Sequence, residues 1–218
     1  ELDVDLRDGG HHSGNWGGLL ADPGVILSHA IASITDASGA IRILEWRPNS
    51  LTPAVKAALA DMNLTAPDGG PSIDPDWGEP GLSAAEKVVG WNSFAVLTML
   101  SGDPAKPVNA VQPMARAVCQ LRFVVGTEID DIVPALRRHL AREGFDKVVV
   151  TSPARPTLTA TRLDPDHPWA VWTAQSIERT MGAPAMVVPN LGGSLPNEEF
   201  AVTLGMPTIW IPHSYTGC

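Results

Sequence analysis

The sequence holds two cysteines in 218 residues, Cys119 inside an apolar run and Cys218 as the last residue. Two cysteines so placed make neither a disulfide framework nor a zinc-finger pattern, and their scarcity fits a reducing, cytoplasmic setting. Positive charge is short as well: Lys and Arg total 15 against 24 Asp and Glu, a formal net charge of -9. That balance argues against nucleic acid and against an anionic membrane as partner. No apolar run approaches the roughly 20 residues that a spanning helix needs, and no charged-then-apolar leader opens the chain. HExxH, paired CxxC, a carboxylate-rich cluster and a GxSxG elbow are all missing, which excludes the familiar self-contained metal and serine-nucleophile patterns.

What is present is a core-forming chain, 44% hydrophobic, with two kinds of periodicity. "ELDVDLRD" alternates Leu2, Val4 and Leu6 with charged neighbours, the period of a half-buried strand. In "ADPGVILSHAIASI", Asp22 suits an N-cap and Pro23 a first helical position, with Val25, Ile26, Ala30, Ile31 and Ile34 at helical spacing. "DASGAIRIL" predicts a turn at Gly39 and a short strand through Ile41 and Ile43. Residues 46–90, rich in Pro, Gly and Asp, read as an insertion with one short helix from Pro53 to Met62. "NSFAVLTMLSG" reads as a strand and "DPAKPVNAVQP" as a loop. From Met114, Ala115, Ala117, Cys119, Leu121 and Phe123 share one strand face, with Arg116, Gln120 and Arg122 on the other. "TEIDDIVPALRRHLAREG" predicts a helix with Thr127 as N-cap, a stripe of Ile129, Val133, Leu136 and Leu140, and Gly144 as its stop. "KVVVTSP" is a further strand.

This order predicts an α+β fold: one antiparallel four-stranded sheet with two helices on one face. After a boundary near Thr159–Asp164 the pattern changes to helix and strand in alternation, as in a parallel α/β segment. There the expected elements are a helix from Pro168 to Met181, a strand "AMVVP", a helix from Pro196 to Leu204 and a strand "PTIWIP". The chain starts at Glu1 without a methionine and stops straight after an apolar strand, as expected of a fragment.

Several positions suit chemistry and also suit plain structure. In "NLGGSLPNEEF", Gly192 and Gly193 permit close backbone approach, and Ser194 with the following helix start favours an anion such as a carboxylate, or serves only as a cap. Arg122, on the polar strand face, suits a bidentate carboxylate contact or a solvated sheet-face arginine. Asn109, in a Pro-bounded loop, suits an Asn-initiated turn. His11 and His12 adjoin, so in extended chain they point to opposite sides and do not easily chelate one metal. His29, His139 and His167 read as surface or capping residues, and His213 ends an apolar strand.

Taken in order, five stretches resemble the M-twenty (M20) metallopeptidases, the di-zinc family of carnosinases, glutamate carboxypeptidases, aminoacylases and acetylornithine deacetylase-like deacylases. "HHSGNWGG" is similar to the family's HSG turn with an aromatic and two glycines, and "VNAVQP" to its Asn-Val-Ile-Pro loop. "CQLRFV" is similar to its arginine strand, "LGGSLP" to its Gly-Gly-Ser-Ile-Pro loop, and "PTIWIPHSYTGC" to the strand before its last metal-binding segment. The resemblance covers nearly the whole chain.

It implies a zinc-dependent amidohydrolase, peptidase or deacylase, acting on a small peptide or an N-acyl amino acid. Residues 1–163, with the insertion at about 46–90, would be the lid, which forms a homodimer, and 164–218 the truncated C-terminal portion of the catalytic α/β domain. Arg122, Gly193 and Ser194 fall where the family clamps the substrate carboxylate, and Asn109 in the loop that reaches toward the partner subunit. His12 takes the place of a turn histidine that in some relatives stabilises an oxyanion across the dimer. Carnosinase-like members carry a second histidine before an acid and a proline, where this chain has Ala21. The ligands of the two zinc ions and the general base would lie outside this sequence, so the fragment alone would be inactive. A reading from a different class is a non-catalytic dimerising or carboxylate-binding module.

Overall fold

Residues 1–60, 62, 64, 70–152, 158–190 and 195–211 are described by a computed structural model. In chain order the elements are β1 (Leu2–Asp5), β2 (His11–His12), α1 (Ser13–Trp16), α2 (Pro23–Ile34), α3 (Pro53–Ala60), α4 (Ala84–Val89), β3 (Ser93–Leu100), β4 (Ala110–Val111), β5 (Met114–Arg122), α5 (Ile132–Arg142), β6 (Val149–Val150) and α6 (Pro168–Met181). 3-10 turns lie at Leu44–Trp46 and Ile129–Asp131, and a π turn at Glu199–Thr203.

Four strands form an antiparallel sheet in the order β3-β5-β1-β6, and the β-α-β-β-α-β connection places α2 and α5 on one face of it. Alternation decides which side chains those helices cover. Leu2 and Val4 of β1 stand opposite Ala117 and Ala115 of β5, and all four are buried. The small alanines let α2 and α5 approach closely, and Leu27, Ile34, Leu136 and Leu140 close the core over them. On the opposite face Asp3 pairs across the ladder with Arg116, whose Nε–H donates to the Asp3 carboxylate, and that bond raises the basicity of the arginine.

α2 begins as the sequence indicates. Asp22 Oδ1 accepts from the Val25 N–H at 3.1 Å, and Pro23 occupies the first turn. Its buried stripe is Leu27, Ala30 and Ile34, while Val25 is 55% exposed. Replacing Asp22 with alanine should cost about 1 kcal/mol, read as a fall of roughly 2–4 °C in the unfolding midpoint for a chain of this length. An unchanged midpoint would mean the cap contributes nothing.

Other expectations are corrected. Ile41 and Ile43 are buried but form no strand: the only ladder contact recorded there is a single bridge between Thr35 and Ile41, after the Gly39 turn. The short helix is described over Pro53–Ala60, Met62 is not helical, and a further helix, α4, follows. Thr127 is not the cap of α5, because a 3-10 turn precedes the helix and the Thr127 hydroxyl accepts from Asn92 Nδ2 at 2.8 Å. His139 is buried, not a surface residue, with Nε2 3.0 Å from the Ser33 carbonyl oxygen of α2 and Nδ1 3.0 Å from Arg142 Nη2.

Past residue 164, α6 has the predicted bounds, with the His167 ring accepting from the Trp169 N–H at 3.2 Å. "AMVVP" and the described part of "PTIWIP" form no strands. Extended chain becomes a strand only where a neighbour takes its N–H and C=O groups, and no described residue does so here. The Pro196–Leu204 helix is reduced to the π turn. α6 buries no residue, and Met186, Val188, Ile209, Trp210 and Ile211 are 40–65% exposed. No helix among the described residues is long and apolar enough to cross a membrane.

Candidate functional site

Two loci are built at opposite ends of β5. The first is the glycine turn. β2 pairs with β4, setting His12 opposite Ala110, and the Ser13 N–H donates to the Asn109 carbonyl at 2.9 Å. This ladder joins "HHSGNWGG" to "VNAVQP", so His12 and Asn109 share one locus. The His12 ring caps the four-residue α1, with Nδ1 accepting from the Gly14 N–H at 3.1 Å. With Nδ1 so engaged, the neutral ring carries its hydrogen on Nε2, a donor on an exposed side chain. A Cβ at Gly14 would lie 2.9 Å from His12 Cε1, so a side chain there would push the His12 ring out of its capping position. Gly17 is required, since its Cβ would lie 2.6 Å from the Ser13 carbonyl oxygen. The turn does not serve to bury Trp16, which stays 46% exposed with its ring in a T-shaped contact with that of His11.

The second locus is a cleft of about 1500 Å³ at the Arg122 end of β5. Arg122 lies opposite Ser93 in the ladder, exposed on the face away from the helices, and lines this cleft. Its position is held by Asn92, a buried residue that sequence reasoning passed over. Asn92 Nδ2 donates to the Trp46 carbonyl at 2.6 Å, and its Oδ1 accepts from the Val124 N–H at 2.8 Å. Trp77 from the insertion, Trp91 just after it, Leu158 and Trp210 all line this cleft. Asn197 ties part of this lining together, donating to Thr161 Oγ1 at 2.8 Å and Thr208 Oγ1 at 2.9 Å while accepting from Trp210 Nε1 at 3.1 Å. Glu198 accepts from the Thr159 N–H, which holds its carboxyl below the usual range.

Gly193 and Ser194, the expected partners of Arg122, lie outside the described residues, as does His213. Arg122 and the His12–Asn109 locus are not brought together within the chain: eight residues of extended strand separate their ends of β5, roughly 26 Å. Among the described residues no three His, Cys, Asp or Glu side chains converge to hold a metal ion. The donor set for zinc is therefore not found in this part of the chain, and no chemical step is assigned to a metal here.

No family model and no curated protein matches the chain. Solved structures do. A metallo-carboxypeptidase of the M20 family from Sulfolobus solfataricus superposes with a TM-score of 0.70 at 20% identity, over 94% of this chain and 47% of that one. The chain has the fold of an M20 metallopeptidase. The dipeptidase Dug1p from Saccharomyces cerevisiae gives a TM-score of 0.64 at 16% identity, over 94% of this chain and 44% of that one. Human carnosine dipeptidase 1 gives 0.61 at 17% identity, over 91% and 44%. The chain thus spans about half the length of these M20 structures. Its sheet and helices are a part of that fold.

Proposed function

We propose that the chain is the lid (1–163) and C-terminal catalytic portion (164–218) of a zinc-dependent amidohydrolase that cleaves a small peptide or an N-acyl amino acid. In this reading Arg122, Gly193 and Ser194 bind the substrate carboxylate, and the zinc ligands lie outside the described residues. His12 and Asn109 serve the site of a second subunit. The unpaired apolar segments 185–189 and 207–211 are the strands that the remainder of the catalytic domain completes.

The opposite placement of the two loci carries the reading. One chain cannot present His12 and Arg122 to a small substrate across roughly 26 Å of strand. Two chains can. β3 is the sheet edge, eight residues without one charged side chain, with Val96, Leu97, Met99 and Leu100 all more than 40% exposed. Such an edge lacks the protection that keeps sheets apart. Antiparallel pairing of β3 with its copy across a two-fold axis brings the Met114 end of one β5 level with the Arg122 end of the other. They are then separated by three strand spacings, roughly 14 Å.

Sedimentation should therefore report twice the chain mass, and Thr98→Lys with Met99→Lys should return it to the monomer with the fold intact. A monomeric parent chain would defeat this arrangement. The whole protein should hydrolyse N-acyl amino acids or dipeptides with added zinc and lose that activity to a chelator. The alternative, a dimerising carboxylate-binding module, draws on the missing donor set among the described residues. It requires carboxylate binding with no hydrolysis by the whole protein.

A further inference from the structure

Arg162 lies on the cleft wall, half-buried, with no local sequence signature to mark it. Its Nη1 donates to the Ser50 carbonyl oxygen at 2.9 Å and to Ser50 Oγ at 2.7 Å, and Ser50 is 1% exposed. One edge of the guanidinium is thus fixed against a buried, polar, uncharged group. A guanidinium has five N–H donors, and the bonds recorded among the described residues use Nη1 alone. No described carboxylate comes within 4.0 Å of it to form an ion pair. Burial pulls its basicity below the usual arginine range, and Asp164 opposes that only from a distance. A cation partly withdrawn from water with no carboxylate in contact is unfavourable until an anion completes the pair.

The same contacts place it near the predicted clamp. Asn49, the neighbour of Ser50, packs onto Gly126, where a Cβ would lie 2.1 Å from Asn49 Oδ1. Gly126 follows Arg122 by four residues, so Arg162 is anchored at the Arg122 end of the sheet, and both line one cleft. Trp91, Leu158 and Trp210 on the same walls are apolar or aromatic. With a net charge of -9, the chain as a whole repels dianions, so recognition of one falls to these local guanidinium groups.

We propose that Arg162 is a second carboxylate contact of the cleft, and that the substrate carries two carboxylates. One is the terminal group at Arg122 and the other is on an acidic side chain or acyl group, as in an N-acylated or peptide-linked acidic amino acid. This rests on the reading of Arg122 as the terminal clamp.

Calorimetric titration of the full chain with N-acetyl-L-glutamate and with the near-isosteric N-acetyl-L-glutamine tests both. The acid should bind about tenfold or more tightly than the amide, as one charge-assisted contact allows. Arg162→Met should bring the acid down to the level of the amide without weakening the amide, and Arg162→Lys should keep part of the preference. Arg122→Met should abolish both. Equal binding of acid and amide by the parent chain overturns the second contact and leaves the Arg122 reading standing. Binding of neither ligand overturns that reading and this one with it. An Arg162→Met variant that loses affinity for both ligands equally, together with thermal stability, marks Arg162 as structural and overturns the proposal. If Arg162→Met does not fold, the acid-over-amide ratio of Arg162→Lys decides: an unchanged ratio from a shortened reach overturns it, a reduced ratio supports it.

Discussion

Trp46→Ala should lower the unfolding free energy by about 4–5 kcal/mol and the midpoint by roughly 10–18 °C. Trp46 is 2% exposed in a three-residue 3-10 turn, its ring 5.9 Å from that of Phe94. Truncation removes the indole from the main core and leaves a cavity that alanine does not fill. It also strips a donor from the Ile132 carbonyl, which receives the Trp46 Nε1–H at 2.9 Å where α5 begins. The backbone is involved as well, since the Trp46 carbonyl accepts from Asn92, the residue that positions the end of β5. Trp46→Phe, which keeps one aromatic ring but loses the N–H together with part of the indole's buried volume, should cost about 2–3 kcal/mol. Urea unfolding of the two variants measures what the remaining aromatic ring contributes to packing once the hydrogen bond is gone. A midpoint shift of only a few degrees for the alanine variant would mean that the turn is not part of the cooperative core.

Trp46 also shows where sequence reasoning stops. The period of two in β1 and β5, the Asp22 cap and the Pro-led α6 are local signals, and each element forms where its signal lies. Trp46 opens a Pro- and Gly-rich stretch that reads as an insertion, and its burial is decided by Phe94 and Ile132, distant in sequence. Ile41 and Ile43 alternate like a strand, but the neighbouring chain runs into a 3-10 turn and supplies no ladder. α4 carried a signal that composition obscured: Ser83 Oγ accepts from the Glu86 N–H at 3.2 Å, and Glu86 Oε2 from the Ser83 N–H at 2.8 Å, a complete capping box. His139 sits on an amphipathic helix, and only its contact with Ser33 of α2 makes it internal.

The candidate site divides in the same way. Strand alternation places Arg122 on the open face, and the structure has it there. That His12 and Asn109 share a locus was not legible, because β2 and β4 are two residues each and too short to show a period. Asn92 and Arg162 were missed for another reason. Their roles are carried by side-chain hydrogen bonds to residues distant in sequence, Asn92 to Trp46, Thr127 and Val124 and Arg162 to Ser50, and polar residues in loops give no pattern by which to choose one over another.

If His12 serves the partner's site and Arg122 its own, two inactive variants of the whole protein should complement each other. Each alone, His12→Ala or Arg122→Met, should lose activity at least about a hundredfold, the scale for removing a pre-positioned charge or donor. Mixed in equal amounts and allowed to exchange subunits, half of the dimers become hybrids. In a hybrid, one site takes Arg122 from the first variant and His12 from the second, and is intact, while the other site lacks both. One competent site in every four follows, so the mixture should recover about a quarter of the parent activity. No rearrangement within a single chain produces this value, since roughly 26 Å of β5 separates the two loci. A mixture no more active than its components would place His12 and Arg122 in the service of the same chain, or His12 outside the reaction. Adding Thr98→Lys and Met99→Lys to both variants should abolish the recovery, which links the complementation to the β3 edge and not to exchange of some other kind.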